Sequence, residues 1–366
     1  MKRSKANFKF YNPNKFNAID GAICFIIALL TLTLFPNFVV SKFKDFFIAV
    51  RDFDTYAYMC LSIFISQGML ILIGLLFSAI KKVNPITSGG YKLGWDGVQI
   101  LMAVMLTIGV MMLFYFTHIR LSEYANVLTP VSPNIPENFS VFSVIFAFVY
   151  IIEVAVFPAI VEELLFRGII MKGFSEFGAL FAVVCSAILF SLMHGSFNQM
   201  LLQFIGGLMM GAVVMITKNF LLGMIMHFTN NLFSVVYTFF ITPLLTGELG
   251  RRLSAVLGGA SIIFGAVFVL VGVIYFGSML IEKEKNKVLN KTIEEKYAKK
   301  RFCGTIAGEQ KCVVEYNENL INLGDQNKYY FFGKIRKINF KSPKYLTFAL
   351  IGIGLIGAIV CIYFGL

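Results

Sequence analysis

Residues 142–172 read FSVIFAFVYIIEVAVFPAIVEELLFRGIIMK. A helix of about 20 apolar residues crosses the hydrocarbon core of a bilayer, so this run is long enough to span a membrane. It also contains glutamates and an arginine, and an Asp or Arg costs at least ~2.5 kcal/mol at the centre of a membrane helix. The run therefore predicts a transmembrane fold, and its charged residues are candidates for a functional site.

Eight further apolar blocks lie on either side of this run. Hydrophobic residues make up 58% of the 366 residues and charged ones only 14%, and the mean hydropathy is +0.78. These values exclude a soluble globular protein, and the unbroken blocks lack the alternation of an outer-membrane barrel. We predict an all-α, polytopic transmembrane helix bundle of about nine spans, eight and a C-terminal extra helix. The predicted spans are 18–40, 56–80, 96–118, 142–172, 177–194, 199–217, 219–244, 254–281 and 345–366.

The net charge of +12 comes from basic residues between the spans and not from a nucleic-acid-binding surface. If the N-terminus is cytoplasmic, the inside segments hold 26 of the 32 Lys and Arg residues and the outside segments hold 6. Without the segment 282–344 the counts are 11 and 6. The positive-inside rule therefore predicts a cytoplasmic N-terminus and an external C-terminus, and no nucleic acid partner is expected.

The hydrophilic segment 282–344 is expected to lie in the cytoplasm. Its Lys/Glu-rich start, Glu282 to Arg301, is expected to continue the eighth helix, and a small hairpin is compatible with its apolar-aromatic runs such as Tyr329-Tyr330-Phe331-Phe332. The chain then has five parts. They are N-terminal transmembrane helices (1–140), helices that carry the site (141–245), a following helix (246–281), a basic loop (282–344) and a C-terminal helix (345–366).

The fourth span contains the motif E-E-x-x-x-R, formed by Glu162, Glu163 and Arg167. Glu163 and Arg167 are four residues apart, so they share one face of a helix and can neutralise each other. Glu162 is turned about 100° away from that face. The spacing therefore predicts an ion pair and a second carboxylate that is left for other work.

Two further motifs lie in neighbouring spans. They are F-x-x-x-H at the end of the fifth span, Phe190 to His194, and H-x-x-x-N in the seventh, His227 to Asn231. Counted at ~1.5 Å per residue from the cytoplasmic ends, Glu162 and His227 lie at about 15 and 14 Å, whereas His194 would lie at about 26 Å on a straight helix. We therefore expect an irregular stretch around Gly173 to Ala179, or a different helix boundary.

These residue types can activate water. A buried carboxylate beside a histidine acts as a general base, and a His/Asn pair supplies donors for a developing oxyanion. A Ser or Cys nucleophile is not indicated, because G-x-S-x-G is absent and Cys185 lies more than two turns before His194. Two His and a Glu can also bind zinc, but H-E-x-x-H is absent. We favour a site without metal or cofactor, and zinc stays open as the alternative.

Together the three motifs resemble the CPBP family of intramembrane proteases, the type II CAAX prenyl endopeptidases and their bacteriocin-processing relatives. The resemblance covers roughly residues 140–245. It implies a water-accessible hydrophilic cavity in the bundle, a base at Glu162 partnered by His194, and an oxyanion site at His227 and Asn231. The implied site residues are the catalytic Glu162, His194, His227 and Asn231 and the supporting Glu163, Arg167 and Phe190. The ninth span and the segment 282–344 exceed the usual core of that family.

We interpret the chain as an intramembrane glutamic-type endopeptidase. Its expected partners are the lipid bilayer and a membrane-anchored protein or peptide substrate, which is a CAAX-like C-terminus, a bacteriocin leader or another membrane-borne peptide. The usage of Phe, Ile, Lys and Asn is typical of AT-rich genomes, so the expected location is a bacterial plasma membrane. Two other interpretations stay open. One is a non-catalytic immunity or scaffold protein of the same family, and the other is a proton-coupled transporter with a relay of Glu153, Glu162 and the histidines.

Overall fold

The computed structural model describes residues 15–87, 90–125, 141–195, 197–237, 241, 247–298, 301–306, 309–314 and 344–364. By its internal contacts the chain divides into two units. The larger one comprises Phe8–Tyr275 and Phe340–Leu366, and the smaller one comprises Met1–Asn7 and Phe276–Asn339. The five functional parts read from the sequence stay a prediction.

The larger unit is a bundle of apolar helices. Seven helical segments in the described part of the chain are long and apolar enough to cross a membrane, and two shorter apolar helices accompany them. These nine lie at the nine predicted spans, so the all-α, polytopic fold class is confirmed. The helices of the chain are α1 (Ala18–Lys42), α2 (Lys44–Phe53), α3 (Thr55–Lys81), α4 (Gly97–Ala125), α5 (Val141–Glu163), α6 (Ala179–Met193), α7 (Phe197–Thr217), α8 (Phe220–Val236), α9 (Gly247–Ala298) and α10 (Lys344–Phe364).

The short helix α2 lies in a segment that the hydropathy pattern leaves as a loop. Asp54 separates it from α3, because its carboxylate accepts hydrogen bonds from the backbone N–H groups of Tyr56 and Ala57 and so caps α3. Phe46 and Phe53 of α2 are exposed, although the helix also carries charged residues. A helix of ten residues is too short to cross a bilayer, and exposed aromatics beside charges are typical of a helix at the membrane interface.

The fourth span is helical over its whole length, but its geometry changes. After α5 the chain forms a π-helical segment, Leu164–Met171, then a turn of α-helix (Lys172–Phe174) and a 3₁₀ turn (Ser175–Phe177). Gly178 follows with a φ of 115°, which glycine adopts far more readily than other residues. An irregular stretch therefore precedes α6, as expected from the depth of His194, and α6 begins at Ala179 and not at 177.

The start of α1 is a buried polar anchor for the bundle. Asn17 and Asp20 form a capping box, and the Asp20 carboxylate also pairs with Lys81 Nζ at 2.8 Å, at the end of α3. A Cβ on Gly173 would collide with the carbonyl oxygen of Asn17, so the chain after the π-helical segment packs directly on this cap. Helix α10 packs along α1, so the ninth span is part of the same bundle.

Glycines bring α4 and α9 into close contact. A Cβ on Gly109 would lie 2.8 Å from Phe268 Cβ, and a Cβ on Gly272 would lie 2.7 Å from Leu106 Cβ. Apolar lipid provides no hydrophobic drive for helix association, so small residues that let backbones approach are the usual means of packing. The eighth span is therefore held against α4 by backbone proximity.

In the smaller unit, α9 continues through the Lys/Glu-rich stretch to Ala298, which confirms the predicted helical continuation as far as that residue. Arg301, the predicted end of the stretch, belongs to a strand instead. Two antiparallel strands follow, β1 (Arg301–Ile306) and β2 (Glu309–Val314), with Ile306 opposite Glu309. A small hairpin is therefore present in the basic segment. The aromatic run at 329–332 lies outside the described residues.

Candidate active site

Glu163 lies at the centre of a buried polar cluster between the end of α5 and α8. Its Oε1 accepts a hydrogen bond from Arg167 Nη1 at 2.7 Å, and His227 Nδ1 lies 3.0 Å from the same oxygen. All three residues are at most 2% exposed. The ion pair of Glu163 and Arg167, predicted from their four-residue spacing, is confirmed. The histidine comes from a helix 64 residues further on and is a third member of the cluster.

Arg167 connects this carboxylate to two other helices. Its Nη2 donates to the carbonyl oxygen of Gly207 on α7 at 3.1 Å, and its Cζ lies 5.0 Å from the centre of the Phe190 ring on α6. A guanidinium can bind two acceptors through its edge and an aromatic ring through its face, which a lysine cannot do. Arg167 lies in the π-helical segment, a geometry that is frequent at functional sites.

Glu162 has different partners from Glu163. Gln67 Nε2, on α3, donates to Glu162 Oε1 at 3.0 Å. The other oxygen, Oε2, lies 3.9 Å from His227 Nε2, which is beyond hydrogen-bond distance. Oε2 is buried and has no hydrogen-bond partner among the residues that the structure describes. Glu162 therefore has one fixed oxygen and one that can accept a hydrogen bond from a ligand.

The second oxygen of Glu163 is enclosed by α8. A Cβ on Gly223 would lie 2.9 Å from Glu163 Oε2 and 2.8 Å from Val214 Cγ2, so only a glycine lets this helix approach the carboxylate so closely. Glu163 is 0% exposed and is paired with Arg167, whereas Glu162 is 6% exposed. Of the two neighbouring carboxylates, Glu162 is the more accessible.

Phe190 joins the two histidines of the motifs. Its ring centre lies 4.9 Å from that of His194 and 5.6 Å from that of His227, with both contacts edge to face. His194 Nδ1 lies 2.8 Å from the carbonyl oxygen of Phe190, and since a carbonyl only accepts, Nδ1 carries a proton and Nε2 of the neutral ring is an acceptor. His194 is close enough to Glu162 and His227 to interact electrostatically with both.

Asn231 lies at the interface between α8 and α5. Its Nδ2 donates to the carbonyl oxygen of Val154 at 3.0 Å, and its Oδ1 accepts from Asn230 Nδ2 at 3.1 Å. A primary amide has two N–H groups, so one donor of Asn231 remains for a ligand. The amide oxygen already accepts one hydrogen bond, and the remaining N–H is the group that Asn231 can offer to an oxyanion.

The loop between α3 and α4 is hydrogen-bonded to the chain at the start of α8. The backbone of Lys92, in the loop between α3 and α4, donates to the carbonyl oxygen of Lys218 at 2.9 Å and accepts from Phe220 N–H at 2.8 Å. Burial raises the pKa of the neighbouring Tyr91 to about 12, although the nearby Arg167 acts in the opposite direction. The Tyr91 phenol therefore stays protonated at neutral pH and is a donor, not a base.

Direct contacts connect six of the seven predicted site residues, and the seventh, Asn231, contacts the α5 backbone instead. The connected residues are Glu162, Glu163, Arg167, Phe190, His194 and His227.

The three motifs do not predict the contact from Gln67 to Glu162. An amide in the middle of the apolar span 56–80 is the signal that could have indicated it, since polar side chains in a membrane helix need a partner.

Within the described ranges, no three His, Cys, Asp or Glu side chains form a group that could hold a metal ion. The oxygen of Glu163 that faces His227 is also taken by Arg167. The zinc alternative thus has no ready ligand set in this part of the chain, and a chelator experiment is its test.

A comparison with protein families supports the resemblance read from the motifs. Residues 138–233 match the family model of the type II CAAX prenyl endopeptidase, Rce1-like. Both glutamates, both histidines of the motifs and Asn231 lie inside this match, whereas Gln67 lies outside it. No curated protein and no solved structure matches the chain. The match and the apolar helices together indicate an integral, multi-pass membrane protein related to an endopeptidase family.

Proposed function

We propose that this protein is an intramembrane endopeptidase of the type II CAAX protease kind, in which Glu162 activates a water molecule. The environment of Glu162 carries the proposal. It is buried in the segment that matches these endopeptidases, Gln67 fixes one of its oxygens, and the other has no hydrogen-bond partner among the described residues. Glu163 Oε2 is likewise buried without such a partner, but the charge of Glu163 is neutralised by its ion pair with Arg167. A buried carboxylate with an unused oxygen is costly to a protein that only has to fold, and this cost favours a chemical role.

In the proposed reaction, Glu162 Oε2 removes a proton from water while the water oxygen forms a bond to the carbonyl carbon of the scissile peptide. The electron pair of the carbonyl π bond moves to its oxygen and creates an oxyanion. The oxyanion then re-forms the carbonyl π bond, the electron pair of the carbon–nitrogen bond leaves with the nitrogen, and Glu162 gives its proton to that nitrogen. The products are a new carboxyl group and a new amine. His194 is the partner of Glu162 at this step, through the electrostatic interaction between the two side chains.

The donors for the oxyanion are proposed to be His227 and Asn231. Asn231 has one N–H left for a ligand, and His227 Nε2 faces the side of Glu162. With Nδ1 donating to Glu163, Nε2 of His227 also donates when the ring is doubly protonated. Glu163 and Arg167 would hold that ring in position. Loss of one oxyanion donor typically lowers kcat by about 10²–10³-fold.

The substrate is proposed to be membrane-associated, because the candidate residues lie on helices that are apolar over most of their length. A CAAX-like C-terminus and a bacteriocin leader are the two classes, and both would have to reach Glu162 through a water-accessible cavity in the bundle. The lipid bilayer is the second expected partner.

Cleavage by the purified protein tests this proposal. Wild type in liposomes would be incubated with membrane-anchored peptides of both classes, beside Glu162→Gln and His194→Ala, each with and without a chelator. We expect cleavage by wild type that a chelator does not affect, at least about 10³-fold slower cleavage by Glu162→Gln, and a smaller loss for His194→Ala. Glu284→Gln, which changes an exposed carboxylate of α9, is the matched control.

Other outcomes would select other functions. Chelator sensitivity would move the water activation to zinc. A folded wild type that binds the peptides but cuts none of them would favour an immunity or scaffold protein. Transport of protons that is lost in Glu162→Gln, without cleavage, would favour the transporter.

A further inference from the structure

Gln67 lies in the middle of α3, in the stripe of that helix that is buried. Cys60 and Leu70 precede and follow it at helical spacing, and both are buried. Helix α3 packs against α5, so this amide lies in the interface between the two helices. Polar side chains are used in membrane bundles where a specific partner exists, and here that partner is Glu162 at 3.0 Å.

The orientation of the Gln67 amide follows from its partner. An ionised carboxylate only accepts hydrogen bonds, so the NH₂ group of Gln67 faces Glu162 Oε1 and the carbonyl oxygen points elsewhere. Gln67 is 9% exposed, and its Oε1 is buried without a hydrogen-bond partner among the described residues. Glu162 Oε2 is likewise buried and has no hydrogen-bond partner among the described residues.

Two buried acceptors without a donor therefore lie on one hydrogen-bonded pair of side chains. Each is bonded to the same carbon as an atom of the 3.0 Å hydrogen bond, so each acceptor lies two covalent bonds from that hydrogen bond. Buried oxygens are nearly always satisfied by protein or by ordered water. A water molecule that gives one hydrogen to Glu162 Oε2 and the other to Gln67 Oε1 would satisfy both.

We propose that Gln67 is a positioning residue for hydrolysis, which holds Glu162 Oε1 through its amide nitrogen and orients the attacking water through its amide oxygen. This inference rests on the proposed endopeptidase function. Because Gln67 holds Oε1, Oε2 is the oxygen that acts as the base. A water molecule that donates one hydrogen to each of the two acceptors has its lone pairs on the side away from them. The residue lies outside the three motifs and outside the matched segment 138–233.

The charged and titratable groups near Glu162 determine how a change at Gln67 would be observed. Glu162 interacts electrostatically with His227 on α8, His194 after α6 and Arg167 in the π-helical segment, besides its neighbour Glu163. None of these contacts involves Gln67. A change at Gln67 therefore removes one hydrogen bond to the ionised form of Glu162 and leaves the other electrostatic partners in place.

Kinetics of Gln67→Leu and Gln67→Glu test the inference, with Gln99→Leu on α4 as a matched control. Leucine is well tolerated in a membrane helix, so folding is expected to be preserved. We expect Gln67→Leu to lower kcat by about tenfold or more with little change in KM. Gln67→Glu should lower kcat further, since two adjacent carboxyls share one proton and the base is then partly protonated.

Infrared spectroscopy of the Glu162 carboxylate band gives a second result that does not depend on cleavage. The band is identified by its loss in Glu162→Gln. Gln67→Leu should shift its frequency, because Oε1 loses its hydrogen bond, while Gln99→Leu leaves it unchanged. A band frequency and a kcat equal to wild type in Gln67→Leu would overturn the inference and leave the proposed function intact. If wild type cuts no peptide, the proposed function fails, and the absence of hydrolysis overturns the role of Gln67 in hydrolysis as well.

Discussion

Glu162 and Glu163 are adjacent in sequence, yet their surroundings divide two tasks between them. Glu163 is fully buried and holds Arg167 and His227, so its charge is used to organise other side chains. Among the described residues, the neutral amide of Gln67 is the one hydrogen-bond partner of the Glu162 side chain. The 100° turn between consecutive helical residues directs one carboxylate to α8 and the other to α3.

Arg167→Met should destabilise the fold strongly. It leaves the buried Glu163 carboxylate without its cation, and breaking a buried ion pair on one side typically costs about 3–5 kcal/mol. The double variant Glu163→Leu/Arg167→Met removes both charges and should recover most of that loss. The measurement is the midpoint of unfolding in mixed micelles. Arg51→Met, at an exposed pair with Asp52, is the control and should change stability by less than about 0.5 kcal/mol. An equal effect of both single variants would contradict the prediction.

At the scale of helices, hydropathy predicts which segments cross the membrane but not how each one is shaped. Nine spans follow from run length alone, because the bilayer imposes that length. The π-helical segment Leu164–Met171 and the helix α2 follow from local packing and capping, which have no signature in a hydropathy window. The pair of Glu163 and Arg167 was predictable, since both lie on one helix. The contacts of Gln67 and His227 with the glutamates join residues 95 and 64 positions apart and need the tertiary fold.

Gly223→Ala should disturb the site through the position of α8. The added Cβ would lie 2.9 Å from Glu163 Oε2 and 2.8 Å from Val214 Cγ2, so α8 must move away and take His227 with it. Overpacking of this kind costs about 1–3 kcal/mol. We expect lower cleavage and a lower unfolding midpoint, measured together. Gly74→Ala on α3 has nothing within 4 Å of the new Cβ and should be neutral or slightly stabilising. A Gly223→Ala variant as active and stable as Gly74→Ala would show that α8 is free to shift.

On the scale of the whole molecule, the candidate residues all lie in the unit of Phe8–Tyr275 and Phe340–Leu366. Helix α10 completes this unit by packing on α1, where a Cβ on Gly354 would lie 2.9 Å from the Phe25 ring. The ninth span is thus a structural part of the bundle that holds the site. Which side of the membrane each loop faces is a separate matter, because it depends on charge and not on packing.

The orientation in the membrane is predicted from the distribution of basic residues. Two successive loops carry equal numbers of them, but the chain as a whole does not distribute them evenly between the two sides. The segment between α1 and α3 carries Lys42, Lys44 and Arg51, and the segment around the α3–α4 loop carries Lys81, Lys82 and Lys92. These two segments alone do not decide the orientation, whereas the 5 basic residues before residue 18 favour a cytoplasmic N-terminus.

Asp52→Cys and Trp95→Cys place exposed thiols in the two segments, each in a background without the six native cysteines. An impermeant maleimide should label Asp52→Cys in intact cells and Trp95→Cys only after permeabilisation. The reverse pattern would invert the bundle and place the Lys172 end of the fourth span outside the cell.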